Sequence, residues 1–118
     1  MKKTLICDDS ATDLMRLSMA LEAAGCIVIK STTSSEVLGL AKEHRPDVIF
    51  LDIVMPDQDG FATCRELIND SETKDIPIIF VSSKGKKADR MWAKMQGATD
   101  LVQKPFDDSE IIQKLAML

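Results

Sequence analysis

Val48-Ile49-Phe50-Leu51-Asp52 decides the fold. Consecutive apolar residues with no polar alternation read as a strand buried on both faces, the mark of a parallel sheet covered by helices. An acid closes the run. Two other apolar stretches also end in charge: Thr4-Leu5-Ile6-Cys7 runs into Asp8-Asp9, and Leu101-Val102-Gln103 runs into Lys104-Pro105. As parallel neighbours, these strands bring three carboxylates and one ammonium to one sheet edge. Gathering that much charge is costly unless it is paired or binds a metal.

Outward from this strand, the chain alternates. Ala11 to Ala24 carries Leu14, Leu17, Met19, Ala20 and Leu21 near helical spacing and stops at Gly25. Cys26 to Ile29 is short and β-branched, hence a second strand. Thr33 followed by Glu36 is a capping-box signature for a helix that ends before Pro46. Phe61 to Asn69 reads as a third helix and Ile76 to Val81 as a fourth strand, with Pro77 at its entrance. The polar stretch between them, Asn69 to Asp75, reads as a loop. Lys86 to Gln96 reads as a fourth helix ended by Gly97, Leu101 to Gln103 as a fifth strand, and Asp107 with Glu110 as the cap of a last helix through Met117. Five strands alternating with five helices predict an α/β domain with a five-stranded parallel sheet and helices on both faces. Strands three and four, the most apolar, belong at its centre. Functional sites in such sheets lie beyond the carboxyl ends of the strands, where Asp8, Asp9, Asp52, Ser82 and Lys104 fall.

The 118 residues suit one domain, and no linker or low-complexity tract divides residues 1–118. A hydrophobic content of 45% supports a packed core. A net charge of −4 and an aromatic content of 4% argue against nucleic-acid binding, whether through phosphates or stacked bases. Cys7, Cys26 and Cys64 have no paired spacing; Cys7 and Cys26 read as small buried hydrophobes and no zinc motif is present. His44, near a helix end, reads as solvated or capping. The apolar stretch behind Met1-Lys2-Lys3 is too short for a signal peptide, and no window is long enough to span a bilayer. A cytoplasmic location is expected.

Three close acids repel one another unless a cation joins them. Oxygen ligands without sulfur or imidazole favour a hard ion, and Mg2+ is the expected one. Mg2+ commonly bridges carboxylate to phosphate, Lys104 supplies a point charge for the same phosphate, and Ser82 offers a hydroxyl. A carboxylate can itself accept the phosphoryl group, and Asp52, ending the central strand, is the best candidate. Singly, each residue has a plainer reading: Asp8 and Asp9 as caps of the first helix, Asp52 as a strand-end acid, Lys104 as a solvated lysine, Ser82 as a turn former. Jointly, the plain readings require four independent coincidences at one edge.

With Asp8-Asp9-Ser10, Asp52, Met55-Pro56, Gly60, Ser82 and Lys104-Pro105-Phe106 at successive strand ends, the chain resembles the receiver domain of two-component response regulators over nearly its whole length. The single-domain chemotaxis type is the nearest in pattern, and Met91 to Ala98 is similar to the branch that accompanies type IV pilus twitching systems. The resemblance implies a (βα)5 flavodoxin-like fold without an effector domain. It implies that Asp52 is phosphorylated by a sensor histidine kinase, that Asp9, Asp8 and the Val54 carbonyl hold Mg2+ with Asp52, and that Lys104 pairs with the phosphoryl group. It also implies that Ser82 is the switch hydroxyl, that the Lys104-Pro105 bond is cis, and that the output is protein binding by the surface of helix four, strand five and helix five. Two positions depart from the family pattern: Leu101 stands where an aromatic switch residue is usual, and Val54 is apolar where a side chain can guide water.

Other function classes fit less well. An aspartyl-phosphate phosphatase needs a second acid two residues beyond the nucleophile, and that position is Val54. The chain is therefore expected to promote only its own phosphorylation and dephosphorylation, either carrying a signal to an unknown protein target or draining phosphate from a competing regulator. Lys84, Lys86, Lys87 and Arg90 read as a solvated loop and helix start, and Met91, Met95 and Met117 more readily as core filler than as a partner surface.

Overall fold

A computed structural model describes residues 2–118. The elements alternate in the expected order: β1 (Lys3–Cys7), α1 (Ala11–Ala23), β2 (Ile27–Ser31), a 3-10 turn (Ser34–Glu36), α2 (Val37–His44), β3 (Val48–Leu51), α3 (Gly60–Ile68), β4 (Ile78–Ser82), α4 (Lys87–Met95), β5 (Asp100–Gln103) and α5 (Asp108–Ala116). All strands pair in parallel, in the order β2-β1-β3-β4-β5. β3 is the middle strand, and the order reverses beside β1, the switch point of a flavodoxin-like sheet.

The apolar run of β3 is divided between two cores, as a period of two requires. Ile49 and Leu51 join Leu5, Phe80, Leu67 and Cys64 on the face covered by α2, α3 and α4. Val48 and Phe50 join Ile6, Leu17, Leu21 and Ile111 on the face covered by α1 and α5. Burying each such side chain contributes about 2–3 kcal/mol, so the sheet is held from both sides.

Several local expectations are corrected. β3 stops at Leu51; Asp52 follows it, with its N–H donating to the Cys7 carbonyl at 3.1 Å. β4 starts at Ile78, because Pro77 has no N–H and contributes only its carbonyl, which accepts from Ile49 at 2.9 Å. β2 begins at Ile27, leaving Cys26 outside the strand and half-buried. The Thr33/Glu36 capping box does not form: Glu36 accepts from the Ser31 hydroxyl at 3.0 Å, and the chain enters α2 through a 3-10 turn. Asp107 is the N-cap of α5 without a side-chain hydrogen bond. His44 is the last residue of α2, and its carbonyl accepts from Lys3 Nζ. Met91, Met95 and Met117 are exposed rather than core, whereas Lys84, Lys86, Lys87 and Arg90 lie on the surface as expected.

Candidate functional site

The carboxyl ends of β1, β3, β4 and β5 converge because parallel strands all finish at one edge. Asp8 follows β1, Asp52 follows β3, Ser82 ends β4, and Lys104 follows β5. Lys104 is seated by its own backbone, whose N–H donates to the Ser82 carbonyl at 2.9 Å. Its bond to Pro105 is cis. From there Nζ reaches Asp8 Oδ2 at 2.6 Å, Asp13 Oδ2 at 2.9 Å and Asp52 Oδ2 at 3.1 Å.

The second oxygens of the two buried acids are also occupied. Asp8 Oδ1 accepts from the Ser10 N–H at 2.9 Å, and Asp52 Oδ1 from the Ile53 N–H at 2.7 Å. Ser10, not Asp8 or Asp9, caps α1, its hydroxyl accepting from the Asp13 N–H. Asp9 is exposed, yet Asp8, Asp9 and Asp52 each offer a carboxylate oxygen within 4.8 Å of the others. An all-oxygen donor set of this kind suits a hard divalent cation.

Burial pushes the Asp8 carboxyl above its ordinary value, and the nearby Asp52 charge adds to this; the bonds from Lys104 and the Ser10 N–H only moderate it. Burial alone would loosen the proton on Lys104, but its bonds to Asp8 and Asp13 and the charge of Asp52 outweigh that, so the ammonium is held well above its usual range. The site thus sets a strongly retained ammonium against the buried Asp8 carboxylate.

Ser82 is fully buried, and its hydroxyl accepts from the Lys84 N–H at 3.2 Å, turning the chain into the loop before α4. Val54 is 53% exposed, its side chain facing water. Leu101 lies in β5 beside Phe80 and is buried; its carbonyl accepts from Arg90 on α4 at 2.9 Å. Gly60 closes the floor, donating its N–H to the Ile53 carbonyl at 2.7 Å.

Asp13 is the site residue that sequence reasoning missed. It lies in the first turn of a helix, where an acid is ordinary, and its contact with Lys104 spans 91 positions. The Ser10 cap is the available signal: it fixes the first turn and thereby aims Asp13 over the sheet edge.

A family model described as the response regulator receiver domain matches residues 4–116. Protein PilH of Pseudomonas aeruginosa is 39% identical over 98% of this chain and 95% of its own length. Protein PilG of the same organism is 33% identical over 93% of this chain and 82% of its own. Among solved structures, the chemotaxis protein CheY4 of Vibrio cholerae superposes with a TM-score of 0.92 at 30% identity, covering 99% of this chain and 98% of that one. The chain spans only 42% and 49% of two longer curated relatives.

Proposed function

The chain belongs to the response regulator receiver domain family, and from that premise we propose that Asp52 accepts a phosphoryl group from a sensor histidine kinase and so switches a protein-binding surface. The observation that carries this reading is the Lys104 ammonium in contact with both Asp8 and Asp52 at the carboxyl edge of the sheet. A surface lysine has no reason to be drawn among buried acids unless charge is to be balanced there.

Asp8, Asp9, Asp52 and the Val54 carbonyl would hold Mg2+, which when bound offsets the negative charge of the incoming phosphoryl group. An Asp52 oxygen attacks the phosphorus of the donor phosphohistidine; the P–N bond breaks as the acyl P–O bond forms. Lys104 pairs with one phosphoryl oxygen. The Ser82 hydroxyl, now accepting from the Lys84 N–H, turns to donate to another. Its departure frees the loop before α4 and alters the surface of α4, β5 and α5. The new charge of about −1.5 to −2 supplies the pull. The coupling required is modest, about 1–3 kcal/mol.

Likeness to PilH and PilG supports a place in a chemotaxis-type two-component pathway of the twitching kind. The partners are then a sensor histidine kinase and a target protein, met by this chain in the cytoplasm; among the described residues no helix is long and apolar enough to cross a membrane. Incubation with a phosphorylated histidine kinase is expected to label the wild-type chain with a hydroxylamine-labile phosphoryl group and to leave Asp52→Asn unlabelled. Undiminished labelling of Asp52→Asn overturns the assignment.

A further inference from the structure

Lys104 has three N–H donors, and three carboxylates take them: Asp8, Asp13 and Asp52. The ammonium has no N–H left for a fourth acceptor. A phosphoryl oxygen that pairs with Lys104 must therefore displace one of these bonds. The three acids are not equally able to let go. Phosphorylation turns the Asp52 carboxylate into an acyl ester, so the N–H it accepted passes to a phosphoryl oxygen farther out and the ammonium must shift away from Asp8 and Asp13. The Asp8 side chain is only 7% exposed, so release there strands a buried carboxylate. The Asp13 side chain is 46% exposed, and water takes over the role of Lys104 at once. Asp13 is also placed firmly: its N–H donates to the capping Ser10 hydroxyl, and it belongs to the first turn of α1.

We propose that Asp13 is a positioning residue that tethers Lys104 in the unphosphorylated state, and that the phosphoryl group on Asp52 competes with it for the ammonium. Asp13 thus sets how readily the phosphorylated state is reached. The inference rests on the phosphoacceptor reading of Asp52. It differs from that reading in naming a residue outside the set Asp8, Asp9 and Asp52 whose oxygens lie together.

The test is a double-mutant cycle read by calorimetric titration with beryllofluoride in the presence of Mg2+. Asp13→Asn is expected to bind beryllofluoride about threefold more tightly than wild type, the value of one half-exposed ion pair. In a Lys104→Met background, adding Asp13→Asn is expected to change nothing, because the tether has no cargo. The same gain in both backgrounds means that Asp13 acts through space as a negative charge, and overturns the proposal. Equal affinity of Asp13→Asn and wild type overturns it too. Absence of beryllofluoride binding by the wild type sinks the phosphoacceptor reading and the tether with it, and so is distinguishable from failure of the tether alone.

Discussion

Gly60 sits so close to Asp52 that a β-carbon on it would overlap the Asp52 carbonyl oxygen and crowd the Ile53 α-carbon. The first residue of α3 and the acid after β3 are packed backbone to backbone, and the Gly60 N–H donates to the Ile53 carbonyl. Only backbone lies in the way, so no side chain can rotate aside. Gly60→Ala is expected to lower stability by about 2 kcal/mol through overpacking and to weaken beryllofluoride binding by moving Asp52. Urea denaturation and titration of the same sample check both; a variant unchanged in both means that the two segments separate freely.

Lys104→Met removes the cation from between Asp8 and Asp52. Breaking a buried pair by deleting one partner costs about 3 kcal/mol, and a divalent cation offsets the exposed repulsion. The urea midpoint is therefore expected to fall sharply in EDTA and to recover more with added Mg2+ than the wild-type midpoint rises. Equal Mg2+ shifts in the two proteins contradict this.

Asp57 gives a pH dependence of known sign. The Ser35 N–H and the Ser34 hydroxyl and N–H donate to its carboxylate, which holds it well below the ordinary value of 3.8. A depressed folded-state value contributes stability in full above the unfolded value, and loses it as pH falls through the lower, folded one. Asp57→Asn is expected to flatten the acid limb of the stability profile below about pH 4, measured as thermal midpoints between neutral and acid pH. An unaltered acid limb refutes the role.

Arg90 ties α4 to the sheet, donating to the Gly85 and Leu101 carbonyls at 3.0 and 2.9 Å. Arg90→Met is expected to cost about 1 kcal/mol and to speed hydrogen exchange in the loop before α4 and in its first turn. Exchange confined to its wild-type rates shows that the tie is ornamental to α4.

The fold was legible because β1, β3 and β4 are short apolar runs with no helical period, each followed by a stop, and because Gly25 and Gly97 both adopt the positive φ that ends a helix. Asp8, Asp52 and Lys104 were legible because each directly follows a strand, and parallel pairing brings strand ends together. What sequence could not display are partners chosen in three dimensions. Glu36 has Ser31 within reach and takes it instead of closing a capping box, while the turn before α2 is capped from Asp57, 22 positions from Ser35. Asp13 reads as a favourable first-turn acid until β5 delivers Lys104 to it. The exposed methionines of α4 miss the core because that helix meets the sheet through the small side chain of Ala93.

Phe61 stands edge-on to both Phe80 of β4 and Trp92 of α4, with ring centroids at 5.3 and 6.4 Å. These rings form a relay from the strand that ends in Ser82 to the outer helix, where Trp92 is the sole tryptophan and 47% exposed. The chain consequently carries its own optical reporter: a displacement of α4 against β4 alters the packing and hydration of a single indole, and its emission can be followed in real time without attaching a dye.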